Sequence, residues 1–248
     1  MVMCQACQGK GVMVDQSPFG SSGVCTSCRG SGKLIQSIKD LLPPEHACLL
    51  YEDPQLQLPV VVSFLIEGLT QGECCFYVAD EHSVETVKEA FARTGVNVKK
   101  QINNRALNIL TKNESYLSSG HFNASQMLDY IKDAIKAATR AGFLAFRATG
   151  EMTWALGGEP GCDQLIPYET LLDHYVDQVK PDVTFLCQYN LKRFPDDKLQ
   201  GVLHTHRYVV LEGARVVSNP YYKKMKRDYS GAQVGQMIDF LKKQAPSN

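Results

Sequence analysis

GFLAFRATGEMTWAL, residues 142–156, is the stretch on which the reading of this chain turns. A short apolar run, Phe143 to Phe146, changes abruptly into Arg147, Thr149, Gly150, Glu151, Met152, Thr153 and Trp154. An apolar run of this length bounded by turn residues predicts a buried strand. The polar cluster is then expected at the strand's carboxyl end, where open α/β sheets bind ligands. The chain's single tryptophan lies there, beside an arginine and a glutamate. The competing reading makes Trp154 a core anchor and Arg147–Glu151 a structural ion pair.

Outward from this stretch, strands and helices alternate. Ala47–Tyr51, Cys74–Ala79, Ala106–Leu110 and Val183–Cys187 are further apolar runs read as strands. A helix is expected from Pro54 to near Gly72, with Leu58, Val61, Val62, Leu65 and Leu69 inward. Ser83 caps the next, with Val84, Val87 and Phe91 on one face. Asn123 starts a third, with Gln126 as its capping-box partner and Met127, Ile131, Ala134, Ile135 and Ala138 as its stripe. Helices over Cys162–Val179 and Asp196–Leu203 follow, then a hairpin of Tyr208–Leu211 and Arg215–Val217. This alternation predicts an α/β fold: a doubly wound, mainly parallel sheet with helices on both faces.

Composition narrows the function classes. The chain has 248 residues, 26 basic and 26 acidic, so its net charge of +0 gives no global pull toward nucleic acid or an anionic membrane. Its most apolar window, Leu58–Ile66, is too short to span a bilayer, and no membrane insertion is expected. The first residues hold no apolar signal core, which points to a cytoplasmic protein with reduced thiols. Nine cysteines in that setting read as metal ligands plus core residues.

Residues 1–35 carry the most specific motif. Cys4-x-x-Cys7 and Cys25-x-x-Cys28 are separated by 17 residues, within the spacing of a four-thiolate zinc site. Each pair continues as C-x-x-C-x-G-x-G, ending in Gly9 and Gly11, and in Gly30 and Gly32. The repeat resembles the cysteine-rich module of DnaJ-type chaperones, with two repeats instead of four. One closed, structural zinc per chain is expected, held by Cys4, Cys7, Cys25 and Cys28. A redox role would require a surrounding βαβ pattern that is not legible. Residues 36–44 read as a linker, with a short helix over Leu34–Leu42 ended by Pro43-Pro44.

A phosphate-binding loop belongs between the first strand and first helix of a nucleotide-binding α/β domain. Here that segment is Tyr51-Glu-Asp-Pro-Gln-Leu-Gln57, without glycine, lysine, serine or threonine. Yet SFLIEGLTQGECCFYVADEH, residues 63–82, resembles the helix and second strand that follow the phosphate loop in KaiC and RecA-like ATPases. HACLLYED (46–53), GLTQGECCFYVADEH (68–82), RATGEMTWAL (147–156), FLCQYNLKRFP (185–195), HTHRYVVLEG (204–213) and NPYY (219–222) occur in that order. Together they resemble the MEDS domain, the sensory domain of methanogen and methylotroph regulators of the DcmR type, over residues 45–222. The resemblance implies a degenerate, non-hydrolysing KaiC/RecA-like domain that senses small, one-carbon or hydrocarbon-like compounds. Those regulators carry a helix-turn-helix; none is legible here, so direct DNA binding is not expected.

In such a fold the strand ends would gather Tyr51 and Glu52, then Asp80, Glu81 and His82, then Arg147, Glu151 and Trp154, then Gln188 and Tyr189. His204 and His206 lie just before the hairpin. The set is an aromatic and polar lining suited to a small, partly apolar ligand. His204-x-His206 at strand spacing reads either as a metal pair or as a hydrogen-bonded pair. Glu151 with His204 would be the acid–base couple of an enzyme, although no nucleophile motif accompanies them. Residues 223–248 combine Lys223, Lys224, Lys226 and Arg227 with an amphipathic helix over Ala232–Lys243. That helix would dock on the domain, pair with a second copy, or bind a partner protein. A sensor reading leads; an enzyme acting on a small metabolite and a zinc-dependent interaction scaffold are the alternatives.

Overall fold

The computed structural model describes residues 2–3, 8, 12–13, 23–24, 33–35, 37–179, 182–222 and 231–244. Four two-residue strands come first: β1 (Val2–Met3), β2 (Val12–Met13), β3 (Gly23–Val24) and β4 (Lys33–Leu34). β1 pairs antiparallel with β4, and β2 with β3. Cys4, Cys7, Cys25 and Cys28 lie outside the described residues, as do Lys223, Lys224, Lys226 and Arg227. The linking helix expected over Leu34–Leu42 does not form. A single 3-10 turn, Ile38–Asp40, replaces it, closed by a reciprocal cap in which Ser37 and Asp40 bond each other's backbone N–H. Ile38 and Leu41 are buried, and Pro43 disfavours a helical residue before it.

The remaining chain follows the alternation read from the sequence. In order come β5 (Glu45–Tyr51), α1 (Pro54–Thr70), β6 (Cys74–Ala79), α2 (Val84–Ala92), α3 (Val98–Asn103), β7 (Leu107–Thr111) and α4 (Ala124–Arg140). Then follow β8 (Phe146–Glu151), α5 (Leu165–Val179), β9 (Val183–Asn190), α6 (Asp196–Thr205), β10 (Tyr208–Leu211), β11 (Arg215–Ser218) and α7 (Gly231–Gln244). Ser83 and Asn123 cap α2 and α4, accepting the N–H of Thr86 and Gln126. α3 was not expected from the sequence; its six residues include no buried side chain to make a stripe.

The seven-stranded sheet has the order β11-β10-β5-β9-β8-β6-β7. All its pairings are parallel except β10–β11, the C-terminal hairpin. Both faces are covered. One core packs α1 and α2 on the sheet through Val61, Phe64, Leu65, Val87 and Phe91. The other packs α4, α5, α6 and α7 through residues such as Met127, Leu172, Val202 and Leu241. α7 docks on the domain through Val234, Met237, Ile238 and Leu241, all buried. Its Lys242 reaches Glu52 at 2.8 Å.

The central strand is displaced from its expected position. The apolar run Phe143–Ala145 is a connection, and Leu144 is 76% exposed. β8 begins at Phe146 and contains the residues read as lying beyond it. The reason is local satisfaction of polar groups. Arg147 is fully buried and makes a bidentate pair with Glu73, Nε at 2.5 Å and Nη2 at 2.9 Å. Its guanidinium stacks 4.7 Å from the Phe64 ring centroid. Gly68 on α1 leaves the space: a Cβ there would stand 2.7 Å from the Arg147 side chain. Thr149 donates to the Leu186 carbonyl at 2.6 Å. A polar strand is therefore buried without orphaned charge.

Removing one partner of a buried ion pair strands the other, so Glu73→Ala is expected to lose roughly 3–5 kcal/mol of unfolding free energy in urea titration. The double variant Glu73→Leu/Arg147→Met is expected to recover most of it. A single-variant loss below about 1 kcal/mol would show that the pair is solvated.

Candidate functional site

The carboxyl ends of the strands are organised by one side chain. Glu151, the last residue of β8, is fully buried. Its Oε2 accepts the successive backbone N–H groups of Asp80, Glu81 and His82, at 2.7 Å from Asp80 and 3.0 Å from His82. Its Oε1 accepts the Tyr77 hydroxyl at 2.5 Å and lies 2.7 Å from His82 Nδ1. Burial alone would raise the Glu151 carboxyl; His82, Tyr77 and the Asp80 N–H outweigh burial and hold it below the usual carboxylate value. The Glu151 hydrogen bond in turn raises His82, against its burial.

Neighbouring groups are answered in the same way. Glu81 accepts from Tyr51 Oη, from Asn190 at 3.3 Å and from Arg193 at 2.8 Å. Asp80 holds Lys112 at 2.8 Å and Thr153 at 2.6 Å. Gln188 pairs with Gln57 and donates to Thr149 at 2.8 Å. The turn from β5 to α1 is only Glu52-Asp53, and the Asp53 carboxylate caps α1 by accepting the Gln55 N–H at 2.8 Å. Where a phosphate loop would stand, the Asp53 carboxylate holds a closed helix start, and the Glu52 carboxylate turns to Lys242.

The sheet separates the residues that the sequence grouped together. Tyr51, Asp80, Glu81, His82, Glu151 and Gln188 meet on the α1 side. Arg147 shares that face but turns to Glu73, away from the crevice. Trp154 lies on the opposite face, buried between Tyr116, stacked at 4.9 Å, and Phe122 at 4.2 Å. Tyr189 belongs to that second core as well. His204 and His206 are not strand-spaced: His204 is in the last turn of α6 and His206 is its C-cap. Glu151 and His204 thus belong to opposite sides of the sheet and do not form one catalytic couple.

Beneath α5 lies a second polar constellation. Glu169 Oε2 is 3.0 Å from His46 Nε2 and 3.4 Å from His206 Nε2. Cys187 Sγ is 3.5 Å from both Glu169 Oε2 and His46 Nε2. All four side chains are buried. Burial disfavours the His46 cation, but Asp173 and Glu169 carry it the other way, up to about 9. Burial and His46 push His206 down. The signal for this group was available: Leu165, Leu172 and Val176 mark the inner stripe of α5, and Glu169 sits on it. A carboxylate on a buried stripe demands partners. His46, buried at the head of the apolar run Ala47–Leu50, is a second misfit of the same kind.

Among the described residues, recesses flank the sheet on both faces. A solvent-open groove of about 740 Å³ runs between α1 and α2, lined by Leu58, Pro59, Val62, Ile66 and Ala90, with His82 at its end. A smaller chamber of about 40 Å³ lies between α4 and the other face of the sheet, lined by Phe76, Tyr116, Met127, Phe146, Ala148 and Tyr168 among others. Ser115 also lines it, and its buried hydroxyl has no hydrogen-bond partner.

The His82–Glu151 pair has a pH signature. Because His82 is raised above its ordinary 6.5, its charged form stabilises the native state fully below that value. That stabilisation is lost as pH rises through the native value. The stability advantage of the wild type over His82→Gln, measured by urea unfolding from about pH 5 to about pH 9, is therefore expected to shrink as pH rises. Parallel profiles would contradict the pairing.

Comparison with known proteins agrees with this architecture. A KaiC-like protein of Pyrococcus horikoshii OT3 superposes with a TM-score of 0.50 at 16% identity, covering 70% of this chain and 75% of its own. An uncharacterised P. horikoshii protein crystallised with an unknown peptide gives 0.55 at 13% identity, covering 82% and 93%. The transcriptional repressor DcmR of Methylorubrum extorquens is 24% identical over 180 residues, 73% of this chain and 64% of the repressor. Among the described residues no helix is long and apolar enough to cross a membrane. Residues 45–207 match the MEDS family, the MEthanogen/methylotroph, DcmR Sensory domain, and the chain belongs to that family.

Proposed function

We propose that this chain is a small-molecule sensor that binds its ligand in the chamber between α4 and the sheet. The observation that carries the reading is the chamber's chemistry: an aromatic box with one unpartnered hydroxyl, Ser115 Oγ. A volume of about 40 Å³ suits a compound of a few heavy atoms, with an apolar body and one polar atom. The strand-end crevice is a poor nucleotide site by comparison. Its carboxylates repel phosphate and its polar atoms bond one another. We therefore read the KaiC-like frame as non-hydrolysing.

The output is assigned to the N-terminal module. β1–β4 and β2–β3 bracket the two C-x-x-C pairs from outside and inside, which supports one structural zinc on Cys4, Cys7, Cys25 and Cys28. The module would recruit a protein partner or a second copy of the chain. The relative's repressor function comes to this chain only as regulation in the broad sense, since the match spans 64% of that protein.

The test is thermal-shift measurement of the purified full chain against one- and two-carbon halides, alcohols and thiols. At least one compound is expected to raise the melting temperature. Ala148→Leu, which fills the chamber, is expected to abolish the response, and Ser115→Ala to weaken binding about tenfold. A response unchanged in both variants, or in no compound at all, would overturn the site. ATP turnover lost in Glu81→Gln would overturn the non-hydrolysing reading.

A further inference from the structure

We propose that His46, Glu169, Cys187 and His206 form a transition-metal site, filled by Zn²⁺, within the core beneath α5. The four ligand atoms lie within 4.8 Å of one another. With zinc bonds of about 2.0–2.3 Å, neighbouring donors of a tetrahedron stand about 3.3–3.7 Å apart. The His46–Glu169, His206–Glu169, His46–Cys187 and Glu169–Cys187 separations are 3.0, 3.4, 3.5 and 3.5 Å. The remaining separations, His46–His206 and His206–Cys187, are no longer than 4.8 Å, so a contraction of at most about 1 Å would complete the figure.

The outer atoms of these residues are already placed as a metal site requires. His206 Nδ1 lies 2.8 Å from the Val202 carbonyl, which fixes the proton there and leaves the Nε2 lone pair facing the cluster. That Nε2 is buried and has no hydrogen-bond partner. Tyr189 Oη donates to Glu169 Oε1 and leaves Oε2 inward. His46 turns Nε2 inward and Nδ1 toward Asp173, 3.9 Å away. Two nitrogens, one sulfur and one oxygen suit zinc and not Mg²⁺ or Ca²⁺, which take oxygen shells. A thiolate and a carboxylate would neutralise the dication, so no net charge would be buried. A recess of about 40 Å³ lined by Pro44, His46, Asp173 and Arg207 gives a route from the surface.

Four protein donors close the coordination, so the ion would be a structural tie. It would join β5, β9, α5 and the α6–β10 junction. The inference does not depend on the sensor reading or on the N-terminal module.

The full chain with Cys4, Cys7, Cys25 and Cys28 all changed to Ser removes the other thiolate site. This variant is expected to retain about one zinc per chain by elemental analysis, and to give a sulfur-to-cobalt charge-transfer band when loaded with Co²⁺. Adding Cys187→Ser should abolish the band, and His206→Gln should lower the metal content below about half an equivalent. No metal in the fourfold variant even after Zn²⁺ addition, or a band that survives Cys187→Ser, would overturn the proposal. Should those variants fail to fold, wild-type crystals soaked in Zn²⁺ decide it by anomalous scattering at the zinc edge. A peak among the four side chains supports the site. A hydrogen-bonded cluster with no peak overturns it.

Discussion

The carboxylate of Glu151 closes the end of this sheet. It gathers three consecutive N–H groups, a tyrosine hydroxyl and a histidine at one point. Buried backbone donors of a loop need acceptors, and a fully buried carboxylate needs donors. Each solves the other's problem. The loop after β6 is thereby fixed, and with it Asp80 and Glu81, which organise Lys112, Thr153, Asn190 and Arg193 in turn. A KaiC-like sheet is retained, but the end where such folds hold a ligand is filled by the protein's own charges.

The proposed ligand chamber lies on the other face of the sheet. There the core is aromatic: Tyr116, Phe122, Trp154 and Tyr168 contact one another at centroid distances from 4.2 to 6.3 Å. The small chamber under α4 is lined by two of these rings, Tyr116 and Tyr168, and Ser115 supplies its unanswered hydroxyl. The same face holds the His46–Glu169–Cys187–His206 cluster. Phe185 contributes to the chamber and stands edge-on to His46, with centroids 6.4 Å apart. One packed layer thus borders both features.

Element type was legible in the sequence because period and caps agreed. Cys74–Ala79 forms the strand its apolar run predicted, and Asn123 and Ser83 start their helices. The register of β8 was not legible. Its strand is half polar, and only knowledge of Glu73, Leu186 and the 80–82 loop shows how those groups can be buried. The sequence reading placed Trp154 in the ligand site; its stacking on Tyr116 and Phe122 places it in the core instead. Glu151 was read as a ligand-site residue; the partners it has in the structure lie about 70 positions away and carry no sequence pattern. Glu169 and His46 were visible as misfits in apolar patterns; their meeting with His206 depends on tertiary topology, which no local pattern encodes.

The central claim is that the chamber beneath α4 is a true ligand cavity. Xenon enters apolar cavities without specific chemistry, so crystals of the full chain pressurised with the gas test it directly. The account predicts an anomalous peak enclosed by Phe76, Tyr116, Phe146 and Ala148. Xenon bound only in the α1–α2 groove, with the chamber empty, would contradict it.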